Sequence, residues 1–239
     1  MIKTIPSWKF ISCQGKKRNE NKDVFAIIRS SSITLVIAFD ISTTSPATTE
    51  MAKFFIKIIT KELPKSSAIN ADGISELLYK AFNETKKEMK IGKASFLAIC
   101  SFTGTPPTFC LHSGDVRLGH FFEGTPIEWI TNVHTGANPL GDFFTTDMLK
   151  NNKKQILTRC FNLQRQLKLE LSELPKTHGK MVVATDGFWA ESTLDMQGSI
   201  LRGEQCQNND DVSVLMLDWV GTLDGLPNNT EENLIVSTS

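Results

Sequence analysis

Four aspartates, Asp23, Asp40, Asp186 and Asp210, each stand at the edge of a short apolar run. Asp40 ends ITLVIAFD (33–40) and Asp186 ends MVVATD (181–186); Asp210 opens DDVSVLML (210–217) and Asp23 opens DVFAII (23–28). The runs have strand length and composition, so each carboxylate is expected at a strand end, on rigid backbone beside a loop. Carboxylates converging from distant parts of a chain are how proteins grip hard divalent cations such as Mg²⁺ or Mn²⁺. A pair of such cations suits phosphate-ester hydrolysis, because it acidifies a shared water and neutralises charge as phosphorus is attacked. Taken singly, Asp40 reads as a helix cap or turn acid and Asp186-Gly187 as a plain turn; the joint placement of the four is what points to metal.

The elements that must position them follow from periodicity. Strands are expected at 8–14, 23–28 and 33–39, then two amphipathic helices. The first runs from about Thr48 to Leu63, with Met51, Phe54, Phe55, Ile58 and Ile59 on one face and Pro64 as its stop. The second carries Ile74, Leu77, Leu78, Ala81 and Phe82, with Asp72 as its N-cap. A hairpin is expected from 94–102 and 107–114, turning at Gly104, Pro106 and Pro107, followed by a strand at 116–122. Residues 131–152 read as loop, 153–162 as helical, and QLKLELSEL (166–174) as a half-buried strand. From Gly221 the chain is polar, and a frayed tail is expected over 221–239 after a single domain over 1–220. Runs of strands interleaved with runs of helices indicate an α+β protein with mainly antiparallel sheets.

Composition narrows the function classes. Of the 239 residues 40% are hydrophobic, which supports a buried core. Lys+Arg and Asp+Glu balance at 26 each, so no basic excess points to nucleic acid or an anionic membrane. The apolar runs are too short to span a bilayer, and the first residues lack a signal-peptide pattern. The five cysteines are scattered without a Cys-x-x-Cys pair, and the four histidines show no metal-ligand spacing. A cytoplasmic protein with reduced, mostly core-filling thiols is expected.

Five segments, in order, resemble the metal-dependent protein phosphatases of the serine/threonine type 2C family. QGKKRNENKD (14–23) is similar to the opening Arg-x-x-Asn-x-Asp element, with Arg18, Asn21 and Asp23 in place. VIAFD (36–40) resembles the strand that ends in Asp-Gly, and SGDVR (113–117) the Gly-Asp-Ser-Arg element. ATDGFW (184–189) matches Ser/Thr-Asp-Gly-x-Trp, and NDDVSVLML (209–217) the closing Asp-Asn/Asp-x-Thr/Ser strand. The resemblance runs from about residue 12 to residue 218. It implies a four-layer α-β-β-α sandwich of two mainly antiparallel sheets flanked by helices. It also implies hydrolysis of phosphoserine and phosphothreonine by attack of a metal-bridging hydroxide, with two Mg²⁺ or Mn²⁺ ions. Asp40 would bridge both ions, Asp186 and Asp210 would hold one of them, and Asp23 would hold metal-bound water. Ile41 would give its backbone carbonyl, Asp115 would serve a third, weaker ion, and Arg18 would fork onto the substrate phosphate. Phosphorylated proteins, opposed by a cognate Ser/Thr protein kinase, would be the partners.

The chain departs from the family pattern at definite places. DISTTSPATT (40–49) lacks the glycines and histidine that usually follow the first aspartate, Lys22 replaces an acid, and Ala190-Glu191 shifts another by one residue. GKAS (92–95) stands where relatives show glycine followed by hydroxyl residues. These departures leave open an alternative, a phosphatase-fold binding or regulatory module with little turnover. A hydrolase of small phosphorylated molecules is a third reading.

Overall fold

Continuous burial along the central strands, on both faces, decides the layering. In the computed structural model, which describes residues 6–42, 46, 48–63, 70–102, 105–122, 125–175, 180–204, 206, 208–219 and 232–238, the strands assemble into two sheets. The first contains β1 (Ser7–Cys13), β6 (Arg117–Phe121), β7 (Glu128–Trp129), β10 (Lys180–Ala184) and β11 (Val212–Asp218), in the order β1-β11-β10-β6-β7. The second contains β2 (Asp23–Arg29), β3 (Ile33–Ile41), β4 (Lys93–Phe102), β5 (Phe109–Ser113), β9 (Glu170–Glu173) and β12 (Leu234–Thr238), in the order β12-β2-β3-β4-β5-β9. A two-residue strand, β8 (Phe161–Asn162), also pairs with β4. Among the described residues every strand pairing is antiparallel except β12 on β2.

Successive strand residues face opposite sides, so each fully buried strand feeds two cores. On β2, Phe25 and Ile27 enter the core between the sheets with Val183, Leu215 and Leu217. Val24, Ala26 and Ile28 pack the other way, with residues of α1 (Thr49–Glu62) and α2 (Ala71–Glu88). The far face of the first sheet carries Val182, Val214 and Met216, in one cluster with Phe188 of α3 (Asp186–Trp189) and Ile200 of α4 (Leu194–Arg202). The result is the expected α-β-β-α order of layers.

Some local expectations are corrected. The N-cap of α2 is Asn70, whose side chain accepts from the Gly73 amide at 3.0 Å; Asp72 lies inside the first turn. The strand at 166–174 shrinks to β9, because only Glu170–Glu173 reach a partner strand. Residues 153–162 are not one helix: a 3₁₀ turn ends at Gln155, and β8 follows. The tail is not frayed at its end, since Leu234–Thr238 extends the second sheet by lying parallel to β2. Pro64, Gly104 and residues 220–231 fall outside the described residues.

Phe161, on the two-residue strand, is the hub of an aromatic cluster. Its ring centroid lies 5.0 Å from Phe82, 5.2 Å from Phe39 and 5.3 Å from Phe55, all three T-shaped. It thereby ties both helices to the sheet that carries Asp23 and Asp40. Phe161→Ala is expected to lower unfolding free energy by about 3–5 kcal/mol in urea titrations, the range for a large aromatic removed from a close-packed core.

Candidate metal centre

The two-residue period of β2, β3 and β4 carries the inner-face parity to the strand ends. Phe25 and Ile27, Val36 and Ala38, and Leu97 and Ile99 face the inter-sheet core, so Asp23, Asp40 and Ser95 fall on that same face. Register aligns them in one row, with Asp23 opposite Asp40 and Asp40 opposite Ser95. Two acids directly across a ladder repel when both ionise.

The other sheet supplies the facing wall. Thr185, next after β10, donates its hydroxyl to Asp23 Oδ2 at 3.0 Å and accepts the Ser213 amide at 3.1 Å. Asp186 starts α3 directly afterwards. Gly187 is required by space: a Cβ there would stand 1.9 Å from the Asp211 carbonyl oxygen, so α3 lies against the entry to β11. That close approach places Asp186 near Asp210. Asp211, one residue on, has a different task. Its carboxylate accepts the Gly15 amide at 2.9 Å and the Lys22 amide at 3.2 Å, stapling the loop that carries Arg18.

Asp115 follows Gly114, whose φ of +119° is a conformation that L side chains rarely adopt. The Ser95 hydroxyl hydrogen-bonds Asp115 Oδ1 and accepts the Asp115 amide at 3.1 Å, while the Trp189 indole donates to the Asp115 carbonyl at 2.9 Å. The nearby Arg117 does not pair with Asp115: its buried guanidinium lies in an aromatic box, 4.9 Å from the Trp129 ring centre and 5.0 Å from that of Trp189.

One cavity of about 340 Å³ gathers all seven residues singled out from the sequence: Arg18, Asp23, Asp40, Ile41, Asp115, Asp186 and Asp210. Ser42, Ser95, Asp211 and Glu191 also line it. Ser95, Thr185, Glu191 and Asp211 join the site as well: Ser95 ends the GKAS stretch, Thr185 and Asp211 lie inside matched motifs, and Glu191 is the acid shifted by one residue, but only the fold brings them to the cavity and its wall. Arg18 is committed to Asp210, with Nε 2.7 Å and Nη2 2.5 Å from Oδ1. The Lys22 ammonium lies 3.4 Å from Glu20. Of the histidines, His112, His120 and His134 are buried, and His178 lies outside the described residues.

Crowding shapes the electrostatics. Burial first, then the Asp211 and Asp210 charges, push Asp23 up to about 7 against the hydrogen bonds from Ser213 and Thr185. Asp40 stands well above the carboxylate range, through burial and then the Asp186 and Asp23 charges. Asp186 is raised likewise, through burial and then Asp115 and Asp210. This is a concentration of buried negative charge without enough positive charge beside it, the situation a bound cation relieves. The donor set fits Mg²⁺ or Mn²⁺, being all oxygen. Among the described residues, however, no three His, Cys, Asp or Glu side chains already close on one point as a metal-holding group.

No protein-family model matches the sequence, and no curated protein sequence matches it. Solved structures do match. The Ser/Thr phosphatase Stp1 of Staphylococcus aureus has a TM-score of 0.70 at 16% identity, covering 92% of this chain and 97% of that one. The PPM Ser-Thr phosphatase MsPP of Mycobacterium smegmatis, in complex with cacodylate, has a TM-score of 0.68 at 17% identity, covering 90% and 98%. The chain has the fold of the PPM Ser/Thr phosphatases. A further PPM-fold neighbour, the catalytic domain of the phosphatase PstP, was solved with 2 manganese ions; its TM-score is 0.63 at 13% identity, covering 90% and 99%. No helix among the described residues is long and apolar enough to cross a membrane.

The raised Asp23 carboxyl predicts how the chelator-treated protein responds to pH. An acid whose pKa is higher in the folded than in the unfolded chain supports the fold while it is protonated in both. That support is lost as pH rises from the unfolded value, 3.8, through the folded value of about 7. In EDTA the melting temperature should therefore fall between pH 5 and pH 8, and less steeply in Asp23→Asn. Parallel curves for the two proteins would contradict the assignment.

Proposed function

We propose that the chain is a Mg²⁺- or Mn²⁺-dependent phosphatase that hydrolyses phosphoserine and phosphothreonine in proteins. One observation carries the reading: carboxylates from five separate segments, Asp23, Asp40, Asp115, Asp186 and Asp210, line a single cavity together with Arg18. Likeness to the PPM phosphatase fold supports it. Bound in that cavity, two divalent cations, with a third at Asp115, would supply an acidified water and offset the charge of the phosphate.

The chain's own residues supply position and charge. Asp40 reaches the cavity from the middle of the three-strand row and would serve both principal cations, with Asp186 and Asp210 on one of them. The Ile41 carbonyl would add a neutral oxygen donor. Asp23, which accepts from the Thr185 hydroxyl, would orient water. Arg18 has a fork suited to a phosphate, and Asp210 now holds it. Asp210 would exchange this guanidinium for a cation, turning Arg18 toward the substrate. Ser42 also lines the cavity, but its hydroxyl is too weak an acid to serve as general acid, so the leaving-group proton would have to come from a water acidified by a bound cation. A phosphoprotein substrate implies a Ser/Thr protein kinase acting in opposition.

Phosphate release from a phosphothreonine peptide tests this directly. Turnover should require Mn²⁺ or Mg²⁺, stop in EDTA, and fall about 100-fold or more in Asp40→Asn and in Asp186→Asn, as expected for lost metal ligation. Undiminished turnover in chelator would refute the metal mechanism. Faster hydrolysis of small phosphomonoesters than of phosphopeptides would refute the substrate class.

A further inference from the structure

A second polar cluster lies behind the turn that presents Asp115, outside the residues lining the cavity. Both backbone polar groups of Gly114 end on one residue. The Gly114 amide donates to His134 Nδ1 at 3.0 Å, and the Gly114 carbonyl accepts the His134 amide at 2.9 Å. A ring nitrogen accepts only when it carries no proton, so His134 must be neutral with its proton on Nε2. Nε2 lies 2.9 Å from Glu170 Oε2, an acceptor when ionised, a shorter contact than the 3.4 Å to Arg159 Nη1, and this favours the Nε2-protonated tautomer. Arg159 Nη1 in turn donates to Glu170 Oε2 at 2.9 Å. His112, fully buried on β5 and paired in register with Glu170, stacks on the His134 ring at 5.0 Å.

The charge states agree with this geometry. Burial holds His134 below the usual imidazole value, despite the raising effect of Glu170. Glu170 is lowered on balance: burial works against ionisation, but the hydrogen bond to His134 and the charge of the Arg159 guanidinium favour the carboxylate. Packing alone would not require such a chain. An apolar ring of similar size would fill the space beside His112 without desolvating an imidazole and a carboxylate.

The turn connects this cluster to the cavity. Gly114 packs so closely on Ser95 that a Cβ would come within 2.4 Å of the Ser95 hydroxyl oxygen, the same oxygen that hydrogen-bonds the Asp115 carboxylate. We propose that Arg159, Glu170 and His134 form a positioning relay that holds the Gly114 amide, fixes the Asp115 carboxylate through the turn, and sets the cation affinity at Asp115. The relay rests on the proposed metal-binding role of Asp115.

Two measurements test it. In the wild-type protein, nitrogen-detected NMR of ¹⁵N-labelled histidine at pH 7 should find His134 protonated at Nε2 and bare at Nδ1. Protonation at Nδ1, or a charged ring, would overturn the relay without any variant. Calorimetric titration with Mn²⁺ provides the second readout, with Asp115→Ala identifying the binding event that depends on Asp115. His134→Phe should weaken that event by about 10–100-fold, the range for lost outer-shell support, while His134→Asn, which keeps an acceptor near the Gly114 amide, stays closer to wild type. Glu170→Leu, on a partly exposed strand, should weaken the same event and disturb the His134 tautomer, which keeps the test available if His134→Phe does not fold. Unchanged Mn²⁺ affinities in folded His134→Phe or Glu170→Leu would overturn the relay and leave the phosphatase reading intact. Wild-type protein that takes up no Mn²⁺, or an Asp115→Ala titration identical to wild type, would remove the metal role of Asp115 and the relay with it. Mn²⁺ uptake and the expected tautomer, without phosphopeptide hydrolysis, would reject the proposed activity and leave the relay standing.

Discussion

Confinement of like charge is the constraint on which the centre depends. Asp23 and Asp40 face each other across one ladder, and Asp186 and Asp210 approach from the opposite sheet. Left alone, these carboxylates can only reduce their repulsion by taking up protons, and their raised pKa values express that tendency. Arg18 relieves part of the charge through Asp210, but one guanidinium does not balance the cluster. The strands hold the acids in place because the same strands are anchored in two cores. The fold thus opposes the electrostatics, and a divalent cation is the simplest group that reconciles them.

Adjacent residues divide the work. Asp210 faces the cavity and Arg18, while Asp211 turns its carboxylate to the Gly15 and Lys22 amides and closes the N-terminal loop over the site. Thr185 and Asp186 divide similarly: the hydroxyl ties the two sheets together through Asp23 and Ser213, and the carboxylate lines the cavity. Gly187 makes this possible by letting α3 rest on the Asp211 carbonyl. A short stretch of sequence therefore carries both a charged group and the backbone contact that aims it.

Much of this was legible beforehand, because strand parity and turn chemistry are local properties. The runs ending at Asp40 and Asp186 and those opening at Asp23 and Asp210 read as strands, and the amphipathic stripes of Met51–Ile59 and Ile74–Phe82 read as helices that bury one face. The layer order came from motif resemblance rather than periodicity. What escaped depends on distant partners. Phe161 sits on a strand of two residues, too short for any alternation, and owes its importance to Phe39, Phe55 and Phe82. The polar end of the chain reads as a loose tail, yet β2 had an open edge that Leu234–Thr238 occupies. The pairing of Arg18 with Asp210, 192 residues away, and the contact of His134 with the Gly114 turn are long-range choices that no local pattern announces.

Anomalous diffraction at the manganese edge, from crystals grown in Mn²⁺, measures the central claim most directly. Two strong peaks are expected within the cavity, both in reach of Asp40 and one also ligated by Asp186 and Asp210. An ordered cavity with no anomalous density, or manganese bound only at sites away from these aspartates, would contradict it.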